Sequence, residues 1–232
     1  MSAPIQTKAR TKESQYEECL VVDETVGRAR FGVMSNQVWH DDPKRLAFVL
    51  ARYKFAARML SGLARVLEVG CADAFASRIV RAEVGHLTAT DIDPVFIRDA
   101  AGQQDPKWPI ELGVHDMLAG PHRERFDGVY SLDVLEHIEP AREDSFLANI
   151  TASLSAHGVA LIGMPSLASQ AHASPQSRIG HVNCKHAPDL KQAMARHYHN
   201  VFIFSMNDEV VHTGFYPMAH YYFALCCGPR RT

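Results

Sequence analysis

An excess of positive charge is missing from this sequence. Its 24 lysines and arginines stand against 26 aspartates and glutamates, a formal charge of −2. No basic field is left to gather nucleic acid, so no nucleic-acid partner is expected. No run of 18 apolar residues occurs, which excludes a membrane-spanning helix and predicts no membrane partner. The five cysteines (Cys19, Cys71, Cys184, Cys226 and Cys227) are odd in number, and no two have zinc-knuckle spacing. Reduced thiols in a cytoplasmic protein are the expectation. The opening "MSAPIQTKARTKESQYEE" has no apolar core and does not read as a signal peptide. Glycine is scarce where a nucleotide loop would want it. In "VLEVGCADAFASRIV", Gly70 is followed by Cys71, Ala72, Asp73 and Ala74. A dinucleotide needs a third glycine for its pyrophosphate to approach the helix, so nicotinamide chemistry is disfavoured.

The chain does hold material for one substantial core, with 47% hydrophobic and 22% charged residues over 232 positions. Residues 1–42 read as a partly ordered extension and 43–232 as one domain. Asp42 and Pro43 carry the N-cap and first-position signature of a helix. Leu46, Val49, Leu50, Tyr53 and Ala57 give that helix an apolar face, and Gly62 suits its end. From there short apolar runs alternate with helical patterns. "RVLEVG", "HLTATDID", "PIELGVHD", "FDGVYSL" and "GVALIGMP" read as strands; residues 73–83, "PVFIRDAAG", "AREDSFLANITASLS" and "APDLKQAMARHY" read as helices. "NVFIFSMND" and "AHYYFALCC" are two late strands. The alternation predicts an α/β fold, a doubly wound and mostly parallel sheet. An irregular stretch at 165–186 is long for a compact domain and reads as a lid-like insertion.

In such sheets ligands bind beyond the carboxyl ends of the strands. The turn at Gly70 lies there, with helix-start N–H groups behind it. Alone it is equally well a plain strand–turn–helix corner. Asp91, 21 positions after Gly70, ends the second strand, where a carboxylate can accept both ribose hydroxyl protons. Asp93, just before Pro94, suits an N-cap.

With these residues placed, residues 43–226 resemble the class I S-adenosylmethionine-dependent methyltransferases, in particular those acting on small molecules. "VLEVGCADAF" is similar to the family's first motif, with Ala72 and Ala74 where glycines are usual; "TATDID" is similar to the second. "GVHDM" stands where the family places an acid near the adenine amino group, and "FDGVYSLDVLEHI" resembles the fourth motif. The resemblance implies a Rossmann-like seven-stranded sheet with an antiparallel last strand. It implies S-adenosylmethionine as cofactor, with contacts at Glu68, Gly70, Cys71, Ala72, Asp91, Ile92, Asp116, Met117, Ser131 and Leu132. Glu68 would lie near the methionine amine or hold the loop from below. Alanine at a left-handed position would be strained.

Methyl transfer leaves the protein to align an acceptor and, for a hydroxyl, to take its proton. Asp133, Glu136 and His137 fall at i, i+3 and i+4 and on a helical turn share a face. "GHVNCKH" adds His181 and His186. His137 and His181 are the candidate bases; the plain alternative for His137 is a packing residue at a helix start. His186, His197 and His199 read as surface or capping groups. A second reading makes Asp133, Glu136, His137 and His181 a metal site, since oxygen and imidazole ligands suit divalent cations. Trp39 or Tyr53 can line the substrate mouth or belong to the core. The polar loop within "FSMNDEVVHTGFYPMAHYY" can meet substrate or a second subunit, which would make a homodimer. The expected activity is methyl transfer to an oxygen of a small polar metabolite, a sugar or a nucleotide-linked sugar. N- or C-methylation, a quinone-type aromatic acceptor and a non-catalytic cofactor-binding subunit are the alternatives.

Overall fold

A computed structural model describes residues 9–230, so the first eight residues of the polar N-terminal stretch lie outside the described residues. The chain divides into two compact units at Phe31/Gly32. The first holds a 3-10 turn at Ser14–Tyr16 and helix α1 (Glu17–Thr25), whose Glu17 carboxylate accepts the Thr11 N–H.

The second unit opens with α2 (Val33–Asp41) and α3 (Pro43–Met59). The Asp42 side chain accepts the Lys44 N–H and Pro43 stands at the first helical position, as the sequence predicts. Then follow β1 (Arg65–Val69), α4 (Ser77–Arg81), β2 (His86–Asp91), α5 (Pro94–Ala101), β3 (Glu111–Val114) and β4 (Phe126–Leu132). Asp93 caps α5 by accepting the Val95 N–H. After 3-10 turns at Leu135–His137 and Pro140–Arg142 come α6 (Glu143–Ala152) and β5 (Leu154–Pro165). The chain continues through a 3-10 turn at Ala168–His172, α7 (Pro175–Gly180), α8 (Ala187–Ala195), β6 (Tyr198–Asn207), β7 (Val210–His212) and β8 (Tyr221–Pro229).

All eight strands join one sheet in the order β3-β2-β1-β4-β5-β8-β6-β7. Pairing is parallel from β3 to β5, and antiparallel where β8 enters between β5 and β6 and where β7 folds back on β6. The expected sheet is therefore right in kind and short by one strand. β7 is a three-residue hairpin arm, too short for its alternation to show. Central strands bury both faces. In β1, Val66 packs under α3 and α4 with Leu60, Val80 and Leu87, while Leu67 and Val69 pack under α6 and α8 with Phe146, Ile150 and Leu190. That double burial is why the strands read as near-continuous apolar runs.

Two other boundaries move. The helix expected over 73–83 shrinks to Ser77–Arg81, because Ala74 has φ 52° and cannot belong to a right-handed helix. So short a helix brings little dipole to the turn. The fifth strand begins at Leu154, before Gly158, through an irregularity opposite Phe126–Gly128. The stretch expected as irregular at 165–186 instead folds locally, and its base is tied. Leu167 N donates to Lys185 O (2.8 Å), and Val182 N and Asn183 N both donate to Glu136 O (2.8 and 3.0 Å).

Candidate active site

The strand order reverses between β1 and β4, so the crevice of the fold opens beyond Val69 and Leu132. Gly70 leaves β1 at φ 81°, and an added Cβ there would lie 2.3 Å from Val134 Cγ2. Gly70 N and Cys71 N both donate to Thr90 O (2.8 and 3.0 Å), which clamps the turn onto β2. Ala72 (φ 48°) and Ala74 (φ 52°) then take the left-handed conformation usually left to glycine. Each costs about 1–2 kcal/mol. The cost is met locally: Ala72 N donates to Asp91 Oδ2 (2.8 Å), Ala74 N to Cys71 O (2.8 Å) and Phe75 N to Asp73 Oδ1 (3.1 Å). From above, Ser35 at the start of α2 donates its N–H to Asp73 Oδ2 (2.6 Å).

Asp91 ends β2 with Oδ1 accepting Asp93 N (2.9 Å) and Oδ2 accepting Ala72 N. One bond per oxygen leaves lone pairs for two ribose hydroxyls. Ile92 beside it is 63% exposed, an apolar surface on which a ring can lie. Asp116 spends one oxygen on Leu118 N (2.8 Å) and keeps the other. Met117 buries its side chain, and its carbonyl accepts from Asn149. These residues fit the adenosine half of the cofactor, and a methionine tail does not need the missing glycines.

Other expected contacts have different work. Glu68 is buried, and its oxygens accept the hydroxyls of Tyr53 and Tyr130, both at 2.7 Å. Burial raises this carboxyl above the usual carboxylate range, against the pull of the two hydroxyls. Glu68 thereby ties α3 to β4, next to the turn that follows β1. Tyr53 belongs to the core, while Trp39 is exposed on α2. The Ser131 hydroxyl donates to Val69 O (3.0 Å), and Leu132 is buried, so only their backbone edges β4. Burial pushes the Cys71 thiol up and keeps it protonated.

Beyond β4 the expected shared face breaks up. Asp133 has φ 58°, and the 3-10 turn covers only Leu135–His137. The left-handed residue turns its carboxylate to Arg52, whose Nη1 donates to both oxygens (2.8 and 2.9 Å). The guanidinium also lies over the Tyr221 ring, 4.0 Å from its centroid. Arg52 escapes sequence reasoning, since nothing in "RYKF" separates it from a surface arginine. Glu136 is fully buried with no hydrogen-bond partner for either oxygen. Burial pushes its carboxyl well up, and the Asp133 charge adds to the rise.

His137 and His181 do come together, with ring centroids 5.1 Å apart. His137 Nδ1 bonds Gly180 O (2.9 Å) and His181 Nδ1 bonds Gln170 Oε1 (2.7 Å). Both partners are acceptors, so each Nδ1 donates, and a neutral ring so held has its lone pair on Nε2. Burial, then the neighbouring His137, lowers the His181 pKa and favours the neutral ring. Glu136, His137 and His181 offer ligand atoms within 4.8 Å of one another; Asp133 stands outside the group. His186 and His199 are exposed, and His197 bonds Asp144 (2.9 Å).

Among the described residues no helix is long and apolar enough to cross a membrane. Residues 66–158 match a family described as "Methyltransferase domain". No curated protein matches the chain. Several solved structures share the architecture. The N-methyltransferase NodS from Bradyrhizobium japonicum WM9, in complex with S-adenosyl-L-homocysteine, is 19% identical with TM-score 0.60, over 83% of this chain and 91% of that one. A TehB-like SAM-dependent methyltransferase from Corynebacterium glutamicum is 18% identical with TM-score 0.59, over 93% and 97%. DhpI, also solved with S-adenosylhomocysteine, is 17% identical with TM-score 0.57, over 83% and 88%. Residues 66–158 thus match a methyltransferase domain, and the sheet as a whole has the fold of S-adenosylmethionine-dependent class I methyltransferases.

Proposed function

We propose that this protein transfers the methyl group of S-adenosylmethionine to an oxygen of a small polar metabolite, a sugar or nucleotide-linked sugar. The observation carrying this reading is the pair of imidazoles beside the crevice, each with its Nε2 lone pair free. The sulfonium of the bound cofactor supplies the activated methyl group. Asp91 accepts from the ribose hydroxyls, Ile92 covers one face of the adenine, and Asp116 accepts from its amino group. The stretch from Leu167 to Gly180 covers the acceptor and excludes water. His137 or His181 accepts the acceptor hydroxyl's proton at Nε2 as the new O–C bond forms. A polar substrate suits this edge of the site, where Arg52, Asp133, Glu136 and two histidines gather.

The test uses methyl-labelled S-adenosylmethionine, the full chain and a fractionated metabolite extract, read by mass spectrometry. Label in an alkali-stable methyl ether is expected. Replacing either His137 or His181 by Ala should lower turnover at saturating cofactor by about 10²-fold or more. Label on nitrogen or carbon, or unchanged turnover in both variants, would overturn the oxygen assignment.

A further inference from the structure

The buried Glu136 has a carboxyl group that no hydrogen bond satisfies. Arg52 is committed to Asp133 through both carboxylate oxygens. Among the described residues Glu136 has neither a hydrogen-bond donor nor a cation on its two oxygens, although it is fully buried. Leaving a carboxylate so placed costs several kcal/mol, and native proteins pair such groups or use them as metal ligands.

Two imidazoles lie within ligand distance of it. His137 and His181 each spend Nδ1 on an oxygen acceptor, Gly180 O and Gln170 Oε1, and present Nε2. Metal-ligating histidines are held in this manner: the far N–H is given to a carbonyl or carboxylate, which fixes tautomer and ring orientation. The backbone fixes the spacing, because Val182 N and Asn183 N both close onto the carbonyl of Glu136 itself. The candidate ligand atoms lie within 4.8 Å of one another. Tetrahedral ligands about 2.1 Å from one ion stand about 3.4 Å apart, so side-chain movements of up to about 1.4 Å close the set.

We propose that Glu136, His137 and His181 form a divalent-cation site of the two-histidine, one-carboxylate kind, suited to Zn²⁺, with open positions toward the crevice. Its use rests on the oxygen-acceptor reading above. With the cation bound the two imidazoles are ligands instead of bases, so only the oxygen-acceptor part of that reading is kept: a hydroxyl on an open position becomes more acidic and gives its proton to water. The new bond is acceptor oxygen to methyl carbon; the bond broken is methyl carbon to sulfur, whose electron pair stays on the thioether. Asp133, held by Arg52, takes no part as a ligand, and Gln170 is a positioning residue.

The test measures cation binding without cofactor or acceptor. The full chain, stripped with EDTA and kept in a non-thiol reductant, is titrated with ZnCl₂ by calorimetry. The bound ion is then counted by mass spectrometry. One tight site per chain is expected. Glu136→Gln keeps the shape and removes the charge; it and His181→Ala should each abolish the tight site. Gln170→Ala should weaken it by about tenfold. His186→Ala, at an exposed neighbouring histidine, should leave it unchanged. Far-UV circular dichroism of each variant separates a lost site from a lost fold. No tight site in the wild-type chain, or one that persists in folded Glu136→Gln and His181→Ala, overturns the proposal. Methyl transfer that survives EDTA with no bound ion would refute the cation site and leave the oxygen-acceptor reading standing. A tight Zn²⁺ site in a chain that labels no hydroxyl would do the reverse.

Discussion

The alanines of the cofactor turn predict an inversion of the usual glycine effect. Within a helix, Ala→Gly destabilises by about 0.5–1 kcal/mol. At Ala72 the backbone has φ 48°, where a Cβ costs about 1–2 kcal/mol. Ala72→Gly removes that strain and loses about 0.4–1 kcal/mol through the looser unfolded chain. Ala72 is only half-buried, so little packing goes with its methyl. The net expectation is stabilisation by about 0.5–1 kcal/mol. Ala74 has the same strain at φ 52°, but its methyl is buried against Cys71, Ala89 and Ala100. Losing it costs about 0.8 kcal/mol, so Ala74→Gly should come out near neutral. Ala76 is buried at φ −79°, and Ala76→Gly should cost about 1–2 kcal/mol. Urea unfolding of the three variants tests this order, with melting shifts of about 2–4 °C per kcal/mol at this size. If Ala72→Gly destabilises as much as Ala76→Gly, the strain argument is wrong.

Other variants probe the frame of the site. Gly70→Ala brings a Cβ against Val134 at a φ of 81°, for a loss of about 2–4 kcal/mol; Gly70→Ala/Val134→Ala should recover only the packing share, read by urea midpoints. Tyr130→Phe leaves the buried Glu68 one hydroxyl short and should cost about 1.5–3 kcal/mol, much of it regained in Tyr130→Phe/Glu68→Gln. Burial raises the Glu143 carboxyl, but bonds from Lys185 (2.7 Å) and Asn183 and the Lys185 and Arg196 charges prevail and hold it below its ordinary value. Its folded pKa is depressed, so its stabilisation is present above about pH 4.5 and is lost as the pH falls through the folded value. Glu143→Gln should flatten that part of the acid-stability curve; an unchanged curve would show that the network does not hold the charge.

Legibility in the sequence followed locality. Asp42–Pro43 and Asp93–Pro94 each cap a helix through bonds within three residues, and both stand where the sequence put them. Ser174–Pro175 carries the same signature and starts α7, so the helix in the supposedly irregular stretch was readable. Helical spacing misled at Asp133, because a left-handed residue after β4 cancels the i, i+3, i+4 face. The convergence of His137 with His181 joins residues 44 positions apart, and Gly180, 43 positions from His137, is the contact that makes it. Arg52 meets Asp133 across 81 positions, a pairing that no local pattern announces.

The tied base of the stretch after β5 changes what that stretch can be. A segment hinged at one end swings; this one is sewn shut, with Ser166 bridged to Lys185 and residues 182–183 fastened to the carbonyl of Glu136. The arch between Leu167 and Gly180 rises from these stitches and touches the rim again through Gln170 and Gly180. Closing a flexible loop costs about 0.6 kcal/mol more per doubling of its length, so residues can be added to or taken from the arch at small cost to the sheet beneath. Within the arch Gln170 and Gly180 are the exceptions, since they hold the rings of His181 and His137; the other residues can be recast with the sheet and the stitched rim left as they are.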